Sequence, residues 1–393
     1  MFAEFRILVL FSALQAGLSY VTNIFLANKM GPDIFGQYSY VLVLGSVYTL
    51  FVTWGTAESG IRLRATYGDH VLSDILTLKV INFFIAGLSV LVSLVWDDSC
   101  LALLSLIAAM NALSYSTHYE SKRLNVRFAT VFLVERICMS VLFCVGVLFL
   151  DGGYITWLFS VMSLVQGASL FFQCLDNREF GLRVKRNSLM NIYRQGFFLM
   201  LFSLAKYSFG GITRLIIFQQ LGDAKMGVFA AAWQFIPLST IFFSQAIKAW
   251  RLKLTKSLDD RARSEFLRHL ASLSLSVLAP AILACLTLTL IGAELIDILF
   301  SEKYVDAREL IPYIGIYFII VGLDTVVILL AVAVSAAHFA SVIYLIFGSG
   351  TVVFCLVCPG TSLEFYALAI IVGHFLAVTA SAHMVFRKVI TRI

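Results

Sequence analysis

Two basic side chains, Lys206 and Arg214, interrupt an apolar stretch of about twenty residues that begins at Phe197. A lysine or arginine at the centre of a bilayer costs about 2.5–3.5 kcal/mol on insertion scales, so such residues usually mark a substrate or ion pathway. On an α-helix the two residues lie about 12 Å apart along the axis and about 80° apart around it. We therefore predict that both side chains face one polar cavity, where their charge binds an anion.

The same stretch ends in a turn that occurs twice in the sequence. Gly222 and Gly227 follow their counterparts Gly31 and Gly36 by 191 residues in each case. This constant offset is close to half of the 393 residues, and it indicates a chain of two related halves. Two glycines five positions apart permit a tight turn between antiparallel helices.

The offset also relates two polar stripes. In the second half the stripe contains Ser203, Lys206, Gly210, Thr213 and Arg214, and subtracting 191 gives Ser12, Gln15, Ser19, Thr22 and Asn23. The first helix thus carries neutral amides where the seventh carries cations. We predict that Gln15, Ser19, Asn23, Ser203 and Gly210 form the polar lining of the cavity. The alternative is that small polar residues pack helices together.

The composition is that of a membrane protein. Sixty per cent of the residues are hydrophobic, only 13% are charged and the mean hydropathy is +0.91, whereas soluble domains are about 45–50% apolar and about 25% charged. At about 20 residues per span, the apolar segments predict about twelve transmembrane helices. We therefore expect an all-α polytopic membrane protein with a six-helix bundle at 1–175, a cytoplasmic linker at 176–195 and a second six-helix bundle at 196–393.

The positive charges predict the orientation in the membrane. Of the 29 lysines and arginines, twenty fall on one side of the predicted spans, four on the other and five within spans. Cytoplasmic loops retain positive charge, so the richer side is cytoplasmic and both termini lie inside. Each half then has an even number of spans, and the two bundles are related as a parallel repeat.

Two carboxylates within the spans are candidates for a counter-ion or an ion-coupling group. Asp324 lies in the middle of a span, where an isolated carboxylate either balances a buried cation or belongs to an ion relay. Both interpretations stay open, and we predict Lys206 or Arg214 as its partner in an empty cavity. Glu135 and its neighbour Arg136 point in different directions, so at least one can face the interior of the first half, unless the pair extends towards the membrane surface.

Two further cations are candidates for the same substrate-binding cavity. Arg62 follows the second predicted helix, and Lys248 lies near the cytoplasmic end of the eighth. A local ion pair with Glu58, four residues earlier, is the alternative for Arg62. For Lys248 the alternative is a side chain that extends to the membrane surface.

Other chemistry is not indicated by the sequence. Cys355-x-x-Cys358 has suggestive spacing, but there is no second pair, and we interpret it as a packed structural pair. The histidines are scattered without ligand spacing, so no metal is predicted. There is no phosphate-binding glycine loop and no nucleophile motif, so we expect no enzyme. The net charge of +6 lies in loops between spans, which favours membrane topology and anionic lipid over nucleic acid.

The residues taken together resemble a known family. Two six-helix halves, the Gly31 and Gly36 turn that leads to Tyr38, and basic residues after the second helix resemble the polysaccharide flippases, the Wzx-type O-antigen flippases of the multidrug/oligosaccharidyl-lipid/polysaccharide exporter superfamily. The segment 298–304, Ile-Leu-Phe-Ser-Glu-Lys-Tyr, is similar to the one that commonly follows the ninth helix in that family.

The resemblance implies a function. The substrate would be an oligosaccharide on a polyprenyl diphosphate, such as an O-antigen unit for lipopolysaccharide, moved from the cytoplasmic to the outer leaflet of the bacterial inner membrane. The resemblance also implies a cation-lined cavity between the halves and alternating access. No cofactor is expected, and H+ or Na+ coupling is left open. Membrane lipid and polysaccharide polymerase machinery are the expected partners besides the substrate.

Two other functions are alternatives. A drug/cation antiporter of the same superfamily would favour carboxylates in the cavity, where this chain has mostly cations. A membrane glycan polymerase or ligase usually carries a large outward loop with catalytic arginines, whereas the longest outward loop predicted here is 292–311. A receptor or scaffold role would not explain the repeat.

Overall fold

The computed structural model describes most of the chain. It covers residues 2–56, 71–95, 99–121, 124–177, 186–237, 262–334 and 336–392, with 243, 250, 253–254 and 257–258 in addition. All regular secondary structure in these residues is helical.

The helices are numbered in chain order. They are α1 (Phe2–Thr53), α2 (Val71–Val95), α3 (Ser99–Leu113), α4 (Ser116–Ser121), α5 (Asn125–Phe149), α6 (Tyr154–Asp176), α7 (Arg186–Tyr207), a π-helix (Ser208–Ile212), α8 (Thr213–Leu221), α9 (Asp223–Trp233), α10 (Arg263–Leu299), a 3-10 helix (Glu302–Leu310), α11 (Ile311–Ala333), α12 (Ala337–Val357) and α13 (Leu363–Arg392).

The chain is an all-helical multi-pass membrane protein. In the described ranges, nine helices are long and apolar enough to cross a membrane. Helix α1 is counted once among them although it consists of two helices joined at Gly31, and α3 is a shorter apolar helix. The count of twelve spans in two six-helix bundles stays a prediction, because much of the predicted eighth span lies outside the described residues.

Packing divides the chain into two compact units. The first contains 1–30 and 37–204, and the second contains 31–36 and 205–393. In the first unit α2 packs along α3, and α6 contacts both α3 and α5. In the second unit α10 packs along α11, and α13 contacts α11 and α12. The predicted linker at 176–195 stays a prediction, and its central part, 178–185, lies outside the described residues.

Small residues allow these helices to approach closely. In the first unit the contact of α2 with α3 contains Ala86, Ala108 and Ala112, all of them buried. In the second unit a Cβ atom at Gly315 would lie 3.3 Å from Cys285 and one at Gly322 would lie 3.3 Å from Ala281. Close packing of this kind is what holds helices together where lipid removes the hydrophobic driving force.

The two copies of the glycine turn have the same conformation. Gly31 has φ 74° and ψ 169°, and Gly222 has φ 84° and ψ −178°. L-residues with a side chain rarely adopt such positive φ values, so glycine is required at both positions. The agreement supports the 191-residue relation between the two turns.

The second glycine of each copy packs against the other turn within the second unit. A Cβ atom at Gly36 would lie 1.9 Å from the carbonyl oxygen of Asp223, and one at Gly227 would lie 2.0 Å from that of Pro32. Pro32 and Asp223 are themselves 191 residues apart, so the contact is reciprocal. Only hydrogen fits at these two positions.

Replacing Gly36 or Gly227 by alanine is expected to destabilise the protein by about 1–3 kcal/mol, because an added methyl group would overlap backbone that cannot swing away. The midpoint of thermal unfolding of the detergent-purified protein checks this prediction. Gly87→Ala is the control, since a Cβ atom at this position of α2 meets nothing within 4 Å. Unfolding of Gly36→Ala at the same temperature as Gly87→Ala would show that the turns do not pack in this way.

The prediction of an outward loop at 292–311 was wrong in one respect, because most of this segment is helical. Helix α10 continues to Leu299, and the 3-10 helix occupies Glu302–Leu310. Tyr304, Ala307 and Leu310 are fully buried in this segment, and the ring of Tyr304 contacts that of Phe300 at 5.5 Å. These apolar contacts order a segment that was predicted as a loop between two spans.

Candidate functional site

The helix that carries Lys206 and Arg214 changes its geometry between them. Lys206 lies in the last turn of α7 and Arg214 in the first turn of α8, and the π-helix separates them. The hydroxyl of Thr213 donates to the carbonyl of Ser208, five residues earlier, at 2.9 Å. A π-helical turn is rare and often occurs at functional sites. It also changes the angle between the two cations from the value for a regular α-helix.

Two glycines bring aromatic rings onto the π-helix. A Cβ atom at Gly211 would lie 2.1 Å from the ring of Tyr207, and one at Gly210 would lie 3.2 Å from Trp233 of α9. Trp233 in turn stacks on Phe229, with ring centroids 5.0 Å apart. The predicted lining residue Gly210 is therefore covered by an indole ring.

Lys206 is paired with a buried carboxylate on a neighbouring helix. Its Nζ lies 2.7 Å from Oδ2 of Asp324 in α11. The Asp324 side chain is 3% exposed and that of Lys206 is 38% exposed. Burial of an isolated carboxylate is very unfavourable, so a partner is required. Of the two partners predicted for Asp324, Lys206 is the one it contacts, while the part of both residues in transport stays a prediction.

The second oxygen of Asp324 has other neighbours. The hydroxyl of Tyr344 in α12 donates a hydrogen bond to Oδ1. Nε2 of His374 in α13 lies 3.7 Å from the same oxygen, and Nδ1 of that ring is hydrogen-bonded to the hydroxyl of Tyr317 at 3.0 Å. Side chains from α7, α12 and α13 thus surround one carboxylate of α11.

Arg214 has a different environment. It is half-buried, and its Nε donates to the carbonyl of Gly210 at 2.6 Å. The hydroxyls of Tyr207 and Tyr317 are close enough to interact with its charge. No carboxylate among the described residues forms an ion pair with it, so its positive charge is not balanced as that of Lys206 is.

The polar stripe of α1 is only partly engaged in packing. Nε2 of Gln15 donates to the carbonyl of Ala129 in α5 at 3.1 Å, which joins two helices of the first unit. Ser19 and Asn23 of α1 are half-buried, and so is Ser203 of α7. That these side chains line a cavity stays a prediction.

Glu135 lines a cleft between α5 and α6 in the first unit. The cleft has a volume of about 550 Å³, and Glu135 is 6% exposed at its wall beside Ser169. At one end Arg127 forms an ion pair with Asp176, which also accepts a hydrogen bond of 2.7 Å from Tyr119. The remaining walls are mostly apolar. This cleft therefore contains two carboxylates and one cation.

The structure describes the predicted cysteine pair but not the two further cations. Arg62 and Lys248 fall outside the described residues. Cys355 is buried, Cys358 is exposed, and both have free thiols. Within the ranges that the structure covers, no three histidine, cysteine or acidic side chains are grouped so that they could hold a metal ion.

Sequence reasoning missed His374, Tyr317 and Tyr344. Tyr344 and His374 belong to other helices, which reach α11 only after folding, and no spacing in the sequence connects them to Asp324. Tyr317 lies two turns before Asp324 on α11, and that i,i+7 spacing was a signal that could have been used. His374 did carry one signal, because it is an ionisable residue within an apolar span, and such residues are functional candidates by default.

Known proteins resemble this chain in family and in fold. A family model described as "Polysaccharide biosynthesis protein" matches residues 25–309. No curated protein matches the chain by sequence. Several solved structures share its fold at low sequence identity.

Three of these structures illustrate the similarity. An inward-facing multidrug resistance MATE family transporter of the MOP superfamily is 12% identical with a TM-score of 0.70, over 96% of this chain and 95% of that one. An outward-facing one is 12% identical with a TM-score of 0.69, over 98% and 94%. A MOP superfamily transporter from Pyrococcus furiosus, described as having a binding pocket of reverse polarity, is 11% identical with a TM-score of 0.67, over 99% and 96%.

Proposed function

The chain belongs to the family of polysaccharide biosynthesis proteins, and on that premise we propose that it is a flippase for polyprenyl-diphosphate-linked oligosaccharide. The family match and the shared fold support the resemblance to Wzx-type flippases of the MOP superfamily, and both are those of transporters. The cargo would be O-antigen or a similar repeat unit. It would move from the cytoplasmic to the outer leaflet of a bacterial inner membrane by alternating access, with both termini cytoplasmic.

One observation carries the proposal. Arg214 is a half-buried cation with no carboxylate partner in the described part of the chain, one π-helix away from Lys206. The planar guanidinium can bind two phosphate oxygens at once, and the lysine ammonium adds a point charge. A diphosphate would supply a negative charge to balance that of Arg214.

Asp324 fits the role of a counter-ion in this mechanism. Without substrate it balances Lys206, which makes the buried charges less unfavourable. The partly exposed lysine has a flexible stem and can turn to a phosphate when the anion binds. Asp324 then keeps its hydrogen bond from Tyr344. The ion pair thus exchanges one partner while the carboxylate stays hydrogen-bonded.

The proposal is tested in cells that depend on this chain for a surface glycan. Deleting the gene is expected to abolish the glycan and to cause polyprenyl-diphosphate oligosaccharide to accumulate on the cytoplasmic leaflet. Intact surface glycan with no accumulation would contradict a flippase function. A polysaccharide polymerase that acts on the delivered unit in the outer leaflet is the partner we expect.

A drug/cation antiporter is the second candidate, and the cleft of the first unit favours it. Glu135 and Asp176 give this cleft more negative than positive charge, and its walls suit an apolar cation. Expression of the chain would then make cells resistant to cationic dyes, and Glu135→Gln would remove the resistance. Unchanged dye sensitivity together with loss of surface glycan on deletion favours the flippase.

A further inference from the structure

A buried histidine faces the carboxylate that holds Lys206. The side chain of His374 is 4% exposed, and its Nε2 is 3.7 Å from Oδ1 of Asp324, too far for a hydrogen bond. This buried nitrogen has no hydrogen-bond partner in the described part of the structure. The ring therefore has one nitrogen engaged by Tyr317 and one that points to a carboxylate without bonding it.

The ring is held so that it cannot turn away. It stacks on Phe209, with centroids 4.6 Å apart and planes inclined by 6°. Tyr317 and Tyr344 contact it at 5.4 and 6.0 Å between centroids. Phe209 belongs to the π-helix between Lys206 and Arg214, so the histidine packs directly against the helix that carries both cations. The state that this ring can change is its protonation.

The titratable groups around the ring define the effect of a proton. Asp324 and Tyr317 face it from α11 and Tyr344 from α12, while Lys206 from α7 reaches the same carboxylate, and Arg214 lies beyond Tyr317. With a neutral ring, Lys206 and Asp324 balance each other. A proton on His374 adds a second cation at this carboxylate, and a protonated ring donates from both nitrogens.

The two cations differ in mobility. His374 is clamped between rings, whereas Lys206 is 38% exposed and has four rotatable bonds in its stem. When both compete for Asp324, the lysine is the one that can leave. We propose that His374 is a proton-binding site, and that a proton bound there replaces Lys206 as the partner of Asp324 and frees the lysine for the diphosphate of the substrate.

This inference rests on the proposed function, and it makes binding of the anionic substrate depend on binding of a proton. Proton and anion bind together, because each makes the binding of the other more favourable by the same factor. Histidine is the side chain whose charge ordinarily changes between pH 5 and 8, which sets the pH values to be compared.

Binding of farnesyl diphosphate to the purified full-length protein at pH 5.5 and 7.5 tests the proposal. The ligand itself loses negative charge at the lower pH, since the second phosphate ionisation is near pH 6. The quantity to compare is therefore the affinity of the wild type relative to His374→Gln at each pH. We expect the wild type to bind about tenfold more tightly than this variant at pH 5.5, within the usual range of coupling, and equally at pH 7.5. His383→Gln, an exposed position on the same helix, should match the wild type.

Proton uptake on adding farnesyl diphosphate in weak buffer is the second measurement, and it does not require the variant to fold. The wild type should take up a proton as the ligand binds. Binding without proton uptake, or the same affinity ratio at both pH values, would overturn the histidine proposal alone. No binding by the wild type at either pH would overturn the proposed function as well.

Discussion

Asp324→Asn is expected to destabilise the protein by about 2–4 kcal/mol, near the lower end for a broken buried ion pair because Lys206 keeps some access to water. Asparagine preserves the shape and can still accept from Tyr344, so the change isolates the lost charge. The ammonium of Lys206 would then face a neutral amide in place of a carboxylate. The midpoint of thermal unfolding of the detergent-purified protein should fall accordingly.

Asp306→Asn is the matched control. Asp306 pairs with Lys225 at 2.6 Å, but both side chains are about half exposed, so the loss should be below about 1 kcal/mol. The double variant Lys206→Met with Asp324→Asn should recover much of the lost stability, because it removes both charges. If Asp324→Asn unfolds at the wild-type temperature, the buried ion pair does not contribute as its geometry indicates.

Arg214→Ala and Lys206→Met are expected to reduce glycan export by about ten- to a hundredfold each. A hydrogen bond to a charged group contributes about 1.5–3 kcal/mol, and each 1.4 kcal/mol corresponds to a factor of ten. Arg214→Lys should retain an intermediate rate, since it keeps the charge and loses the planar fork. Surface glycan per cell, normalised to the amount of folded protein, measures the effect.

Arg308→Ala is the control for these variants. Arg308 forms an exposed ion pair with Asp297 beside the 3-10 helix, so its loss removes a cation without touching the site. Export should stay close to the wild-type rate. Full export by Arg214→Ala and Lys206→Met, with normal amounts of protein, would exclude a cationic binding site.

The ion pair of the site could be predicted because the bilayer restricts the possibilities. A carboxylate in the middle of an apolar span requires a cationic partner, so pairing Asp324 with Lys206 or Arg214 follows from charge alone. Only the structure selects Lys206. The partners Tyr344 and His374 could not be found in this way. Tyrosine and histidine are tolerated in many environments, and only the tertiary packing of α12 and α13 brings them to the carboxylate.

Local geometry was the part of the fold that the sequence described least well. The angle predicted between Lys206 and Arg214 assumed a regular α-helix. The backbone between them instead forms a π-helix over Ser208–Ile212. The 191-residue offset identified the paired glycines. It did not reveal that Gly36 and Gly227 each pack on the backbone of the opposite turn, since this depends on three-dimensional proximity.

Transport of a lipid-linked diphosphate oligosaccharide is tested most directly in vesicles that contain the purified protein and the labelled lipid in both leaflets. A membrane-impermeant reagent that modifies the glycan reports how much of the lipid reaches the outside. With the wild type, the inner-leaflet pool should react completely, and with the Lys206→Met and Arg214→Ala double variant it should stay protected. A protected inner pool with the wild type, or equal reaction with both proteins, would contradict the proposed function and its cationic site.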